Sequence, residues 1–203
     1  MTGEDAHEAQ RIADAFAEQL TQLGKMGHGA EKEKAQKLLQ LELDKLAISA
    51  VRKSQFRKTM EKISREILDG QKKQQKEDTK KAIEAVTASF SKDPKKVFAV
   101  VTLQSAGNPK LVPDVLKHVQ TKMKDKSVYV LVKESDKVAH GCIVSPEAAK
   151  AGVSSSDWAK SVSDVVKGKA GGKPPLAIGN GTETGKVDEA VEKATEYLAG
   201  FKL

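Results

Sequence analysis

Between Glu31 and Phe90 apolar residues return every three or four positions, and no other stretch restricts the fold as much. Leu39, Leu43 and Leu46 step by four and three. Phe56, Met60, Ile63 and Ile67 step by four, three and four, and Ile83, Val86 and Phe90 resume the beat. Such spacing lines one side of a helix with apolar groups. An a/d-like seam of this kind must pack against another helix. Upstream, Ile12, Phe16, Leu20 and Leu23 predict a helix over Glu4–Leu23, which Gly24, Gly27 and Gly29 then stop. That helix covers only part of the seam, so the remainder needs a fold-back, a neighbouring domain or a second chain. Asp69-Gly70-Gln71 is the expected break, and Lys72–Lys81 beyond it is almost wholly polar. An antiparallel helical hairpin, or an arm, is expected over residues 1–93.

Asp93-Pro94 ends this region, because proline cannot continue the helical hydrogen bonding. The composition then changes. Val97–Leu103 is short, continuous and β-branched, so it reads as a buried strand. Ser105-Ala106-Gly107-Asn108 is a turn, Pro109–Lys124 a helix and Ser127–Val132 a second strand. Lys137–Val144 is a third, antiparallel to the second across a short hairpin. Ser145-Pro146-Glu147 opens a helix that Gly152 cuts short. Ser154–Lys167 is a fuller helix, capped by Ser154, Ser155 or Ser156, with Trp158, Val162, Val165 and Val166 facing inward. Leu176–Ile178 is a short strand and Gly185–Phe201 a closing helix. The fold class is therefore α+β: a helical region over 1–93, then an α/β domain over 94–203 with a four-stranded mixed sheet.

Gly168-Lys169-Ala170-Gly171-Gly172-Lys173-Pro174-Pro175 alternates glycine and lysine with little bulk. Successive amides in a glycine turn can form an anion-binding nest, and lysines add charge. Gly179-Asn180-Gly181-Thr182 reads as a second tight turn close by. Lys167, Gly168, Lys169, Gly171, Gly172, Lys173, Asn180, Gly181 and Lys186 are the candidate nucleic-acid-binding residues. The bland alternative is a Gly-rich connector. Charge placement supports a polyanion. Residues 31–96 carry 18 basic and 11 acidic side chains, or +7, whereas residues 1–30 carry 2 and 5, or −3. A localised basic surface attracts nucleic acid, although a Lys-rich helix also occurs as a plain solvated face.

Enzyme chemistry finds little support. The glycine loop is no nucleotide P-loop, because Pro174 stands where Ser or Thr is required. Thr184 occupies the third glycine position of a dinucleotide fingerprint. His7, His28, His118 and His140 are scattered without metal-ligand spacing. His140 and Cys142 share a strand face, but no third group orients them for nucleophilic chemistry. Cys142 is the sole cysteine, consistent with a reducing compartment and a cytoplasmic protein. Residues 1–10 do not read as a signal peptide. No apolar run reaches the roughly 18 residues a membrane span needs. No catalytic residue, metal or cofactor is expected.

Several segments occur in a familiar order: Ser145-Pro146-Glu147, Val153–Trp158, Val162–Val166, Gly168–Pro174 and Gly179–Thr182 before a last helix. That order resembles the DHH-associated domain at the C-terminus of alanyl-tRNA synthetases, and the long helical segment is similar to the helical part of the same appendage. The family motif usually has glycine where Ala170 stands. The resemblance implies a piece of a longer chain: a noncatalytic C-terminal domain of an alanine–tRNA ligase that binds the tRNA elbow and links aminoacylation with editing. It implies tRNA(Ala) as partner, homodimerisation through the long helices, and, as in animal relatives, binding to DNA through a dimer. The ATP, Mg and Zn of the parent enzyme would belong to its other domains.

Overall fold

The structure is a computed structural model that describes residues 3–27, 29–91, 93, 95–105 and 107–201. Met1, His28, Pro94 and Ala106, on which some expectations fall, lie outside the described residues. The chain forms two compact units, 1–74 and 75–203.

The first unit holds α1 (Gly3–Lys25), α2 (Ala30–Lys45) and the first part of α3 (Ala50–Ser91). Its core is the seam read from the sequence: Phe16, Leu20, Leu23, Leu43, Phe56, Met60, Ile63 and Ile67. The Phe16 and Phe56 rings lie 5.2 Å apart, tilted by 55°. The break expected at Asp69-Gly70-Gln71 does not occur, and α3 runs through it for 42 residues. Its Gly70 is tolerated although a mid-helix glycine costs about 1 kcal/mol relative to alanine. The chain turns instead after α2, where Leu46 is extended and the Ser49 hydroxyl accepts the Arg52 amide at 3.3 Å. Leu46 and Ile48 pack on the core from this corner, so burial fixes the turn where neither glycine nor proline marks it. Contacts from Glu33 to Gln71, Gln36 to Ser64 and Asp44 to Arg57 show that α2 and α3 are antiparallel. Lys32 is 3% exposed, and its ammonium donates to the Gly24 and Met26 carbonyls at 3.3 and 3.1 Å. Those carbonyls lie at and just past the end of α1, where helical donors are lacking.

The second unit begins within α3, before the change of composition at 93/94. Ala82, Val86 and Phe90 of α3 pack with Val112, Val115 and Leu116 of α4 (Leu111–Lys122). The sheet is mixed and five-stranded, one strand more than expected, in the order β1-β2-β3-β5-β4. Its strands are β1 (Phe98–Gln104), β2 (Ser127–Lys133), β3 (Val138–Ile143), β4 (Gly168–Gly171) and β5 (Leu176–Gly181). β1 and β2 are parallel across α4, and all other pairs are antiparallel. β2 is apolar on both faces because both are covered. One face meets α6 (Ser155–Val165) and α7 (Val187–Ala199), and the other meets α4 and the end of α3. A Cβ at Gly141 would lie 2.8 Å from Val112 Cγ1, so glycine lets α4 settle onto β3.

Helix stops follow the sequence more closely here. α5 (Pro146–Lys150) ends before Gly152, at φ 94, and Ser154 caps α6 by accepting the Asp157 amide. Trp158 is core, as expected, and its indole N–H donates to the Ala194 carbonyl at 2.8 Å. Tyr129, His140 and Ser163 form a buried chain, with Tyr129 Oη 2.7 Å from His140 Nδ1 and Ser163 Oγ 3.2 Å from Nε2.

Candidate nucleic-acid interface

The glycine stretch is an edge hairpin rather than a loop. Gly168–Gly171 extends as β4 along β5, and among the described residues β4 has no second neighbour. The turn between them closes when the Leu176 amide donates to the Lys173 carbonyl at 3.0 Å. No glycine here has positive φ. An anion nest needs alternating right- and left-handed residues, so the expected nest is not formed. Likewise Gly179-Asn180-Gly181 is strand, not a turn.

Most of these glycines answer to packing. A Cβ at Gly168 would lie 2.0 Å from the Asn180 carbonyl oxygen, and one at Gly172 2.3 Å from that of Leu176. At Gly179 it would strike the His140 ring, and at Gly181 the Val166 side chain. Gly171 differs, because a Cβ there would meet nothing within 4 Å. Strand alternation sets the two faces of the hairpin. Ala170 faces the α6 side and packs on the core, which explains how a methyl group is accepted there. Lys169 and Gly171 face the other way, opposite Asn180 and Ile178. Lys169, Gly171 and Asn180 are exposed, and Ile178 is half-buried.

The four candidate lysines fall into two groups. Lys169 and Lys173 are exposed and have no ion-pair partner among the described residues. Lys167 lies 3.0 Å from Glu183, and Lys186 lies 3.4 Å from Glu189. The hydrogen bond from Lys167, with its charge and that of Lys186, holds the Glu183 carboxyl below its usual range. Lys167 ends α6 at φ 48, a conformation more usual for glycine after a helix. Behind it the Val166 carbonyl accepts the Thr182 and Glu183 amides at 2.9 and 3.1 Å. Thus Lys167 leads into β4, β4 and its turn carry Lys169 and Lys173, and Lys186 follows β5 in the 3-10 turn Thr184–Lys186. The sequence reading missed Glu183, although its place two residues after Gly181 was a usable signal.

A five-stranded α/β domain with a basic edge hairpin, preceded by a helical unit, defines the class. A family model described as "Alanine--tRNA ligase domain" matches residues 6–70, and the DHHA1 domain model matches residues 93–200. The chain belongs to the DHHA1 family, in the form that follows the alanine–tRNA ligase helical domain at the C-terminus of alanyl-tRNA synthetases. It is 34% identical over 199 residues to the alanine–tRNA ligase of Candida albicans, covering 98% of this chain and 20% of the relative. The Schizosaccharomyces pombe enzyme is 32% identical over 200 residues, with 98% and 21% covered. The chain thus spans about a fifth of the length of these curated relatives. The C-Ala domain of Aquifex aeolicus alanyl-tRNA synthetase aligns with 52% of this chain and 94% of its own. Its TM-score is 0.46 and its identity 24%. Among the described residues no helix is long and apolar enough to cross a membrane.

Proposed function

We propose that the chain is a noncatalytic tRNA-binding domain of a cytoplasmic alanine–tRNA ligase, and that the outer face of the β4–β5 hairpin contacts tRNA(Ala) at the elbow. Its role there is to link aminoacylation with editing, while ATP, Mg and Zn are handled by other domains of the parent. One observation carries this reading. Lys169 and Lys173 stand exposed, with no ion-pair partner among the described residues, beside the open approach at Gly171. Family membership supports tRNA as the polyanion. Lysines of this kind bind phosphate and set affinity and salt dependence without reading sequence. The combined Lys169→Glu and Lys173→Glu variant weakens tRNA binding by at least about tenfold at moderate salt and flattens the salt dependence. Unchanged affinity in a titration at two salt concentrations removes the hairpin from the reading.

A second reading has its own observation. Leu38, Leu41, Val51 and Leu68 in the helical unit are 67%, 63%, 69% and 52% exposed. Exposed apolar groups of this size mark protein contacts when they cluster. On this reading the long helices form a homodimer, and the dimer binds DNA. Sedimentation at high micromolar concentration tests it, with a monomer as the opposing result. Competition of duplex DNA against tRNA then separates the two ligands.

A further inference from the structure

Gly168 pairs with Gly181, so Lys167 and Glu183 leave the β4–β5 hairpin at the same end. Both backbones are held there, because Val166 accepts the amides of Thr182 and Glu183. Lys167 is fixed at φ 48, which sets the direction from which its side chain departs. Its ammonium rests 3.0 Å from Glu183, and Lys186 acts on the same carboxylate. Further along the hairpin, Lys169 in β4 and Lys173 in the turn have no ion-pair partner among the described residues. One strip of surface therefore has a neutralised cation, Lys167, at its open end and Lys169 and Lys173, without such partners among the described residues, along β4 and at the turn.

We propose that Glu183 is a specificity-determining residue for phosphate binding on this hairpin, occupying Lys167 until a phosphodiester chain long enough to span the strip takes its place. This rests on the hairpin being the polyanion site. Between Lys167 and the turn that carries Lys173 lies β4, whose four extended residues cover about 13 Å at about 3.3 Å each. A small anion held by Lys173 at the turn does not reach Lys167 and gains nothing from it. An extended phosphate backbone reaches both ends and exchanges with the carboxylate. The exchange is feasible because the pair is exposed, at 70% and 37%, and such pairs contribute little in water. After it, Glu183 stays beside the ligand as a negative charge, which penalises anions that do not engage Lys167.

The test is a salt titration of tRNA binding with Glu183→Gln, Lys167→Gln and the double variant. In the unaltered protein the freed carboxylate gathers a cation as phosphate sheds one, so Lys167 adds little to the salt slope. Glu183→Gln is expected to tighten binding three- to tenfold at low salt. It should also steepen the plot of log affinity against log salt by about 0.7–0.9, one further phosphate contact. The double variant should return to the original slope. A merely structural role for Glu183 changes the melting temperature and leaves that slope alone. An unchanged slope and affinity in Glu183→Gln overturns the gate, provided Lys169→Glu with Lys173→Glu still weakens binding at least about tenfold. If that pair of charge reversals has no effect, the polyanion reading itself fails and takes the gate with it.

Discussion

His140 lies so close beneath Gly179 that a Cβ on the glycine would sit 2.5 Å from the imidazole Cε1. The imidazole is completely buried between β5 and α6 and cannot retreat without breaking its contacts to Tyr129 or Ser163. Gly171, two strands' width from that ring, has no such neighbour. The two glycines therefore separate fold from ligand contact.

Gly179→Ala should destabilise the second unit by about 1–3 kcal/mol through overpacking, seen as an earlier urea midpoint. Gly171→Ala should leave the midpoint unchanged or slightly later, since its φ is not positive and its surroundings are open. Gly171→Val should weaken tRNA binding without loss of stability. Equal urea midpoints for the alanine variants at both sites would contradict the packing account.

The same burial gives a pH dependence. Loss of hydration lowers the His140 pKa to about 4, whereas an exposed imidazole titrates near 6.5. Between these values the unfolded chain binds a proton that the folded chain refuses. Stability therefore falls as pH drops from about 6.5 towards 4, by up to about 1.4 kcal/mol per pH unit from this group. Above that window the group contributes no slope. Denaturant unfolding of the native protein and His140→Gln at pH 7.0 and 5.0 measures it. The difference between the two proteins should shrink in acid.

Lys32 should act as a cap and not as an ion-pair partner. Lys32→Met keeps the apolar stem and removes the donor to the Gly24 and Met26 carbonyls. Losing a part-buried hydrogen bond costs about 0.5–1.5 kcal/mol. Helical signal from the first unit should melt earlier, and salt should not restore it. Restoration by salt would point to a charge effect instead.

Cys142 should be chemically silent in the folded state. It is fully buried, its thiol contacts the Ser155 carbonyl at 3.2 Å, and burial pushes its pKa up to about 12. A thiol reagent should label it only at the rate at which the sheet opens, and quickly in denaturant. Fast labelling of the native protein would show that β3 is far less protected than its burial implies.

The helical seam, the strands that became β1, β2 and β3, and the inward position of Trp158 were all legible from residue spacing. Each is an apolar pattern repeated over many positions, and burial rewards such patterns wherever the neighbours lie. The break between α2 and α3 was not legible, because Leu46 and Ile48 make that corner by packing and carry no turn signal. Gly70 looked like a stop, but one glycine cannot outweigh a seam that continues on both sides. β4 was hidden for a related reason. Four residues with two glycines have almost no strand propensity, and only pairing with β5 makes them extended.

Family, order of elements and an overall basic charge were thus present in the linear chain, since they depend on residue identity and local period. The fate of each lysine was not. Lys167 is paired, and Lys169 has no ion-pair partner among the described residues, because strand register brings Glu183 to one and Asn180 to the other, and register is set by long-range hydrogen bonding and burial that no local stretch encodes.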